Sequence, residues 1–419
     1  MRPGASTASD RWNLPCRLRS FDGVNASQIT DPQGAPFRQW GTDLEPSAVQ
    51  QLADACRLPI AVRGALMPDA HPGYGLPIGG VLATRDAVIP YAVGVDIACR
   101  VKLTVLDLPI STLGQGADRL RAAIEKETRF GIGAAFESPR DHPVMELDWS
   151  VSPITRKLRD KAWAQLGTSG SGNHFVEFGV FRVDHRELNV PPGDYLALLS
   201  HSGSRGTGAE VAGHYSRRAK ALHPELPPRL KNLAWLDLHR EEGQEYWSAM
   251  ELMGRYAAAN HACIHRHVAR RLGATVVLDL ENHHNFAWKE RHDGEDVIVH
   301  RKGATPAGAG VLGIIPGSMA STTYIARGKG NEAALDSAAH GAGRVMSRTE
   351  AKKRFHWSEV MPILRERGVS LISAGLDEVP MVYKDIDRVM AAQSDLVEPV
   401  ATFVPRLVKM APAGERAED

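Results

Sequence analysis

Cysteine is scarce: four in 419 residues, Cys16, Cys56, Cys99 and Cys263, scattered and without a CxxC pair. That number is too small for a disulfide framework in a chain this long, and a reducing cytoplasmic setting is expected. Apolar runs are short as well. None approaches the roughly 18 residues of a membrane helix, and Met1 to Ala26 is polar and broken by Gly and Pro, without the apolar centre of a signal peptide. Neither export nor a membrane span is expected. A dominant charge is also missing, because 50 Lys plus Arg offset 49 Asp plus Glu to leave +1. No global basic field advertises nucleic acid, so any such contact must be local.

What remains is an ordinary globular composition, 43% apolar and 24% charged, which excludes disorder across the whole chain. No internal repeat or long linker divides it. The expected organisation is a loose segment over 1–26, a single catalytic domain over 27–410 and a frayed tail over 411–419.

Val49, Leu52, Ala53 and Cys56 follow helical spacing, as do Leu113, Ala117, Leu120 and Ile124. A longer helix is expected from Glu245 to Leu272, with Met250, Met253, Ala257, Ile264 and Val268 on one stripe. Asn260 interrupts it, as a buried structural amide or as a site residue. Arg100 to Asp107 alternates Val101, Leu103 and Val105 against Arg100, Lys102 and Thr104, the mark of a strand. Tyr195–Ser200, Thr275–Leu280 and Val297–His300 read as further strands, the first two apolar enough to be covered on both faces. Helices and strands mix without regular βαβ alternation, which predicts an α+β fold.

Chemistry concentrates in short segments that combine ligand-type side chains, mostly with glycine, where apolar stretches stop. They are MPDAHPGYG (Met67 to Gly75), GVDIACR (Gly94 to Arg100), GTSGSGNHFVEFG (Gly167 to Gly179), SHSGSRG (Ser200 to Gly206), ENHHNF (Glu281 to Phe286) and HGAGR (His340 to Arg344); a seventh, IIPGSM (Ile314 to Met319), has glycine and a hydroxyl but no strong ligand. Asp96 and Cys99 lie three residues apart, and His174, His201 and the His283/His284 pair each follow or end an apolar or glycine-rich stretch. One metal centre would collect them from distant parts of the chain. Thiolate and imidazole by themselves point to zinc, whereas the added carboxylate and an open position suit manganese. The glycine-rich turns present backbone N–H groups as anion nests, and Arg205 and Arg344 add planar phosphate-binding forks. Ser347 and Glu350 form a capping box, so a helix should start just after HGAGR with its positive end near that loop. A neutral His340 beside this cradle is placed to attack an α-phosphate and carry a nucleotide covalently.

These segments, with RKGAT, MSR and YKDID, occur together and in order between about Phe37 and Lys409, and in this the chain closely resembles RtcB-type RNA ligases. The resemblance implies a mixed α+β fold with a deep central metal and nucleotide cleft. It implies two manganese ions on Asp96, Cys99, His174, His201 and His284, with Cys99 bridging. It makes His340 the guanylylated residue. A GTP pocket would fall on Asn173, His174, Phe175, Val176, Glu177, His284, Asn285, Pro316, Gly317, Ser318, Met319, Thr323, His340, Gly341, Ala342, Gly343, Tyr383 and Lys409. Arg205, with Asp69 or His71, would serve the RNA ends. The implied reaction joins an RNA 3′-phosphate or 2′,3′-cyclic phosphate to a 5′-hydroxyl in RNA repair or tRNA splicing, with an archease-like activator as a further partner.

Three departures stand out. Ala98 and Arg100 replace the usual glycines around the cysteine, Pro306 to Ala309 replaces a basic-aromatic run, and Met410 follows the terminal lysine where the family ends in Gly. The rival reading from the residues is a metal-dependent phosphodiesterase that activates water and leaves His340 idle. A non-catalytic RNA-end binder is the third.

Overall fold

The computed structural model describes residues 34–184 and 188–415. The expected loose segment over 1–26, and residues 416–419 of the tail, lie outside the described residues.

Two sheets carry the fold, and the α+β expectation holds. One has five strands in the order Phe37–Gln39, Ala61–His71, Ile78–Thr84, Glu295–Lys302 and Asn285–His292. The other follows the path Leu312–Ile315, Thr323–Gly328, Val397–Met410, Phe175–Val183, Gly193–Ser202, Arg100–Leu106 and Val276–His283, with Ser370–Ser373 pairing onto Val397–Met410. Its two ends approach one another, because the Ile314 N–H donates to Asn282 Oδ1 at 2.9 Å. The curled sheet therefore encloses an apolar interior of Val101, Leu103, Val105, Phe181, Leu199, Ile325 and Phe403.

The alternation in Arg100–Leu106 is real, yet its polar face does not meet water. All seven residues are buried, because the helix Glu241–Leu272 covers that face. Arg100 donates to the Gly254 carbonyl at 2.9 Å, and Thr104 Oγ1 contacts His265 Nδ1 at 2.7 Å. This helix begins four residues earlier than expected and runs through Asn260 unbroken. Its predicted stripe is buried throughout, and Gly273, at φ +60°, ends it in the left-handed conformation that glycine accepts without strain.

The expected first helix is Pro46–Cys56. The second is split into Thr112–Gln115 and Ala117–Glu127 around Gly116, a residue that weakens helices by its backbone entropy. One expectation fails. The strand predicted over Thr275–Leu280 is Val276–His283 and lies at a sheet edge, with Val276 and Val277 each 47% exposed. Its apolar content reflects β-branched strand propensity, not burial on two faces.

Asn260 is the structural amide of the two alternatives. Its Oδ1 accepts from the backbone N–H groups of Gly167 (2.7 Å) and Thr168 (3.1 Å), and its Nδ2 donates to the Thr168 carbonyl (2.9 Å) and Ser202 Oγ (3.3 Å). One side chain thus fixes the loop that leads to His174. Replacing Asn260 with Leu strands two buried N–H groups, and the expected loss is about 2–4 kcal/mol in urea unfolding. A loss under about 0.5 kcal/mol would contradict the clamp.

Candidate functional site

The ligand-type residues arrive from four directions. Asp96 and Cys99 sit on the turn before Arg100–Leu106, His174 just before Phe175–Val183, His201 at the end of Gly193–Ser202, and His284 between the strands Val276–His283 and Asn285–His292. In the turn, the Cys99 N–H donates to the Asp96 carbonyl at 3.2 Å, and Ala98 takes φ +57°. That left-handed conformation costs an L-residue roughly 1 kcal/mol. Gly203 leaves room for the carboxylate, since a Cβ at that position would overlap Asp96.

The five side chains converge. Cys99 Sγ lies 3.4 Å from His174 Nε2 and 3.1 Å from His201 Nε2. His201 Nε2 lies 3.2 Å from His284 Nε2, and His174 Nε2 lies 3.1 Å from Asp96 Oδ2. Two ligand sets result, Cys99 with His201 and His284, and Cys99 with Asp96 and His174. They share the sulfur.

Donor chemistry fits a cation here. His201 Nδ1 is 3.0 Å from the Asn173 carbonyl, which can only accept, so Nδ1 carries the proton and Nε2 turns its lone pair to the sulfur and to His284. Burial, with the charge of His174, pushes the His201 imidazole down to about 3, and burial, with His340 and His201, pushes His284 well below its ordinary value. Both are neutral ligands at physiological pH. Burial would raise the Asp96 carboxyl, but hydrogen bonding and charge from His174, a hydrogen bond from Cys99 and the Arg205 guanidinium outweigh it and hold the group low. Lone pairs packed against a thiol and a carboxylate make sense with a metal ion between them. His283 is no part of this, its ring packing on Phe286 and Trp288.

His340 stands beside the cluster, its ring centroid 4.9 Å from that of His284. Asp69, fully buried, accepts from His340 Nδ1 at 2.7 Å and from its backbone N–H at 3.2 Å. The proton is therefore on Nδ1, and Nε2 is the lone-pair nitrogen. Gly343 at φ +74° lets the HGAGR loop cross this strand, because a Cβ would overlap the Asp69 carbonyl. Beyond it, Ser347 caps the helix Arg348–Arg354 by accepting from the Glu350 N–H, one half of the expected capping box.

A cleft of about 530 Å³ opens onto cluster and His340. Asn173, His174, Phe175, Glu177, His284, Asn285, Pro316, Gly317, Ser318, Met319, Thr323, His340, Gly341, Ala342, Gly343 and Tyr383 line it, with His71. Burial pushes the Glu177 carboxyl well above the carboxylate range, which favours its protonated, donating form. Val176 and Lys409 do not line the cleft. They pair across two strands and share the face opposite it, Val176 in the core beneath the helices and Lys409 Nζ 5.4 Å over Phe130. Strand alternation puts Val408 and Met410 on the cleft side instead. The Lys409 side chain thus lies on the face away from the cleft.

Arg205 is buried behind the cluster, its Nε donating to Thr168 Oγ1 at 3.2 Å and NH2 to the Gly131 carbonyl at 3.4 Å. Arg344 lines the cleft, but its guanidinium meets Glu378 at 3.4 Å and the Asp377 carbonyl at 2.8 Å. Sequence reasoning missed Glu378, which also binds the Tyr383 hydroxyl and Arg348, because an acidic residue outside any glycine-rich segment carries no signal. It missed Lys302, although RKGAT was in view.

A buried cluster of a thiol, three imidazoles and a carboxylate, beside a carboxylate-oriented histidine in a cleft walled by glycine turns, is an enzyme-like site that could hold a metal ion. The family model described as tRNA-splicing ligase RtcB matches residues 51–152 and 147–410, and the chain belongs to the RtcB family. It is 36% identical to the RNA-splicing ligase RtcB of Escherichia coli K12 over 90% of this chain and 97% of that protein. Identity is 34% to the tRNA-splicing ligase RtcB of Nanoarchaeum equitans, over 79% and 84% of the two chains. To the RNA-splicing ligase RtcB of Mycobacterium tuberculosis it is 32%, over 85% and 98%.

Two outcomes are expected. Cys99→Ala removes the sulfur that the two ligand sets share, so calorimetric titration with a divalent metal should lose the wild-type binding; a variant that still binds the wild-type complement refutes the shared ligand. Lys302 Nζ donates to the Tyr74 carbonyl at 2.6 Å, and burial lowers its pKa from 10.5 to about 7. Its folded pKa lies below the unfolded one, so it favours folding most at alkaline pH. That contribution falls as pH drops from about 10.5 to about 7 and is level below. Lys302→Met should therefore gain on the wild type by a few kcal/mol, order of magnitude, between pH 10 and 7 in urea unfolding. Parallel curves would dismiss the buried amine as their source.

Proposed function

We propose that this chain is a GTP-dependent RNA ligase that joins a 3′-phosphate end to a 5′-hydroxyl end, with His340 carrying GMP. The observation that supports this most is the pairing of His340 Nδ1 with the buried Asp69 carboxylate, 2.7 Å apart, next to the Cys99 cluster. The Nε2 lone pair left bare by that pairing faces the cleft side of the cluster, as a nucleophile for an α-phosphorus requires.

His340 Nε2 attacks the α-phosphorus of GTP, and the bond to the bridging oxygen breaks to release pyrophosphate. The Nδ1 proton stays on the ring, where Asp69 balances the charge that develops. An oxygen of the RNA 3′-phosphate then displaces Nε2 from the guanylate, giving an RNA 3′ end activated by GMP and restoring the neutral imidazole. The 5′-hydroxyl attacks the RNA phosphorus, loses its proton and expels GMP, leaving a 3′,5′-phosphodiester. A 2′,3′-cyclic phosphate is first opened by water to the 3′-phosphate.

Asp96, Cys99 and His174 would hold one manganese ion, and Cys99, His201 and His284 the second. Bound there, the ions neutralise phosphate charge. Asn173, Phe175, Glu177, Pro316 to Met319, Thr323 and Gly341 to Gly343 form the guanylate pocket in this reading, with Tyr383 against the base. His71 is better placed for an RNA end than Arg205, which we assign to bracing Thr168 and Gly131. The chain acts as one catalytic unit, since the cleft draws on residues from Glu45 to Met410. A cytoplasmic setting belongs to the same reading, supported by four scattered cysteines without a CxxC pair.

Incubation with Mn²⁺ and α-labelled GTP should leave acid-labile, hydroxylamine-sensitive label on the wild type and none on His340→Ala. Asp69→Asn should cut the labelling rate by about 10²-fold or more through the disfavoured tautomer. No label with any metal would refute the ligase reading in favour of the phosphodiesterase.

A further inference from the structure

A second concavity, of about 470 Å³, shares no lining residue with the cleft. Five cationic side chains, Lys126, Arg129, Arg140, Arg266 and Arg270, face two carboxylates, Glu127 and Asp141, in a chain whose charges cancel to +1. That is the local basic patch that the overall balance conceals. Glu127 is already taken by Arg140 at 3.1 Å and Arg271 at 3.3 Å, whereas Lys126 and Arg270 form no ion pair among the described residues.

Shape narrows the ligand. The Phe136 ring lies under two guanidinium groups, Arg140 at 3.9 Å and Arg129 at 4.9 Å. Flat cationic and aromatic surfaces beside charged side chains suit bases and phosphates together. Burial and the charges of Arg140, Arg266 and Arg270 press the His267 imidazole down to about 4, with only Glu127 acting against them, as expected in a positive field.

Position ties the groove to the cleft. The Ser169 N–H donates to the Arg129 carbonyl at 2.7 Å, and the Gly131 N–H to the Gly170 carbonyl at 3.0 Å. Four residues further along the same loop is His174.

We propose that this groove binds the backbone of the RNA substrate as a single strand, away from the ends that react. The inference rests on the RNA-ligase reading and adds to it where the strand is held. Phosphates meet Lys126, Arg266 and Arg270, and bases stack on the outer guanidinium plane.

The test is the double variant Lys126→Ala/Arg270→Ala, which changes two exposed side chains outside the cleft. A fluorescent single-stranded RNA of about 20 nucleotides should bind about tenfold more weakly, and the slope of log affinity against log salt should shrink by roughly 1 to 1.5. GTP labelling of His340 should be unchanged. Unaltered RNA affinity and slope would overturn the groove. Polyglutamate that displaces the RNA at equal charge concentration would overturn it too, in favour of an acidic protein partner. Missing GTP label on the unsubstituted protein strikes the ligase reading instead, and the anisotropy titration still decides the groove.

Discussion

Five buried ligand atoms crowd together beside the cleft, and the rest of the molecule is arranged to make this tolerable. A thiol 3.1 Å from one imidazole nitrogen and 3.4 Å from another, with a carboxylate 3.1 Å from the second, is costly in a dry interior unless a cation relieves it. The ligands come from turns and strand ends because only there can a side chain leave the sheet and reach a shared point. Both sheets contribute: His284 occupies the step from the edge of one to the edge of the other.

Behind the cluster, the helix Glu241–Leu272 supports it through polar groups where packing alone would be expected. Thr104 Oγ1 donates to Asp279 at 2.8 Å and contacts His265 at 2.7 Å; His265 and His261 share Ser200 Oγ at 2.8 and 2.7 Å, and His261 meets the Ser202 carbonyl at 3.0 Å. Both ends of this chain accept only. Its four members bring one hydrogen each when both imidazoles are neutral, the form that burial favours, so five contacts share four hydrogens. The network fixes the strand that bears His201 while one contact stays short of a proton.

The sequence was most legible where residue type and backbone demand coincide. Asp96, Cys99, His174, His201 and His284 could be read as one centre because each stands where a regular element ends, and His340 because glycine surrounds it. Helices with a strong apolar stripe were equally plain. Side-chain direction was not. Lys409 looks like a site residue by its neighbours in the chain, but alternation along Val397–Met410 sends it to the other face, an outcome that depends on the irregularity in register between Pro405 and Leu407. The exposure of Val276 and Val277 was hidden for a similar reason, since strand order is set by long-range pairing that no local pattern reports. Arg205 carries the chemistry of a phosphate clamp, whereas in the structure it is buried and bonded to Thr168 and Gly131.

The residues on either side of Cys99 hold its turn in different ways. Ala98 keeps the left-handed turn at a cost of roughly 1 kcal/mol, offset by the hydrogen bond from its N–H to the Asn285 carbonyl at 2.6 Å. Arg100 turns its guanidinium away from the metal ligands, donating to the carbonyls of Ala98 (3.3 Å) and Gly254 (2.9 Å) and pairing with Glu281 at 3.2 Å. It thereby ties the cysteine turn to the long helix and to the edge strand together. A glycine would leave that work to backbone contacts alone. The arginine thus adds cross-linking around the turn that presents Asp96 and Cys99.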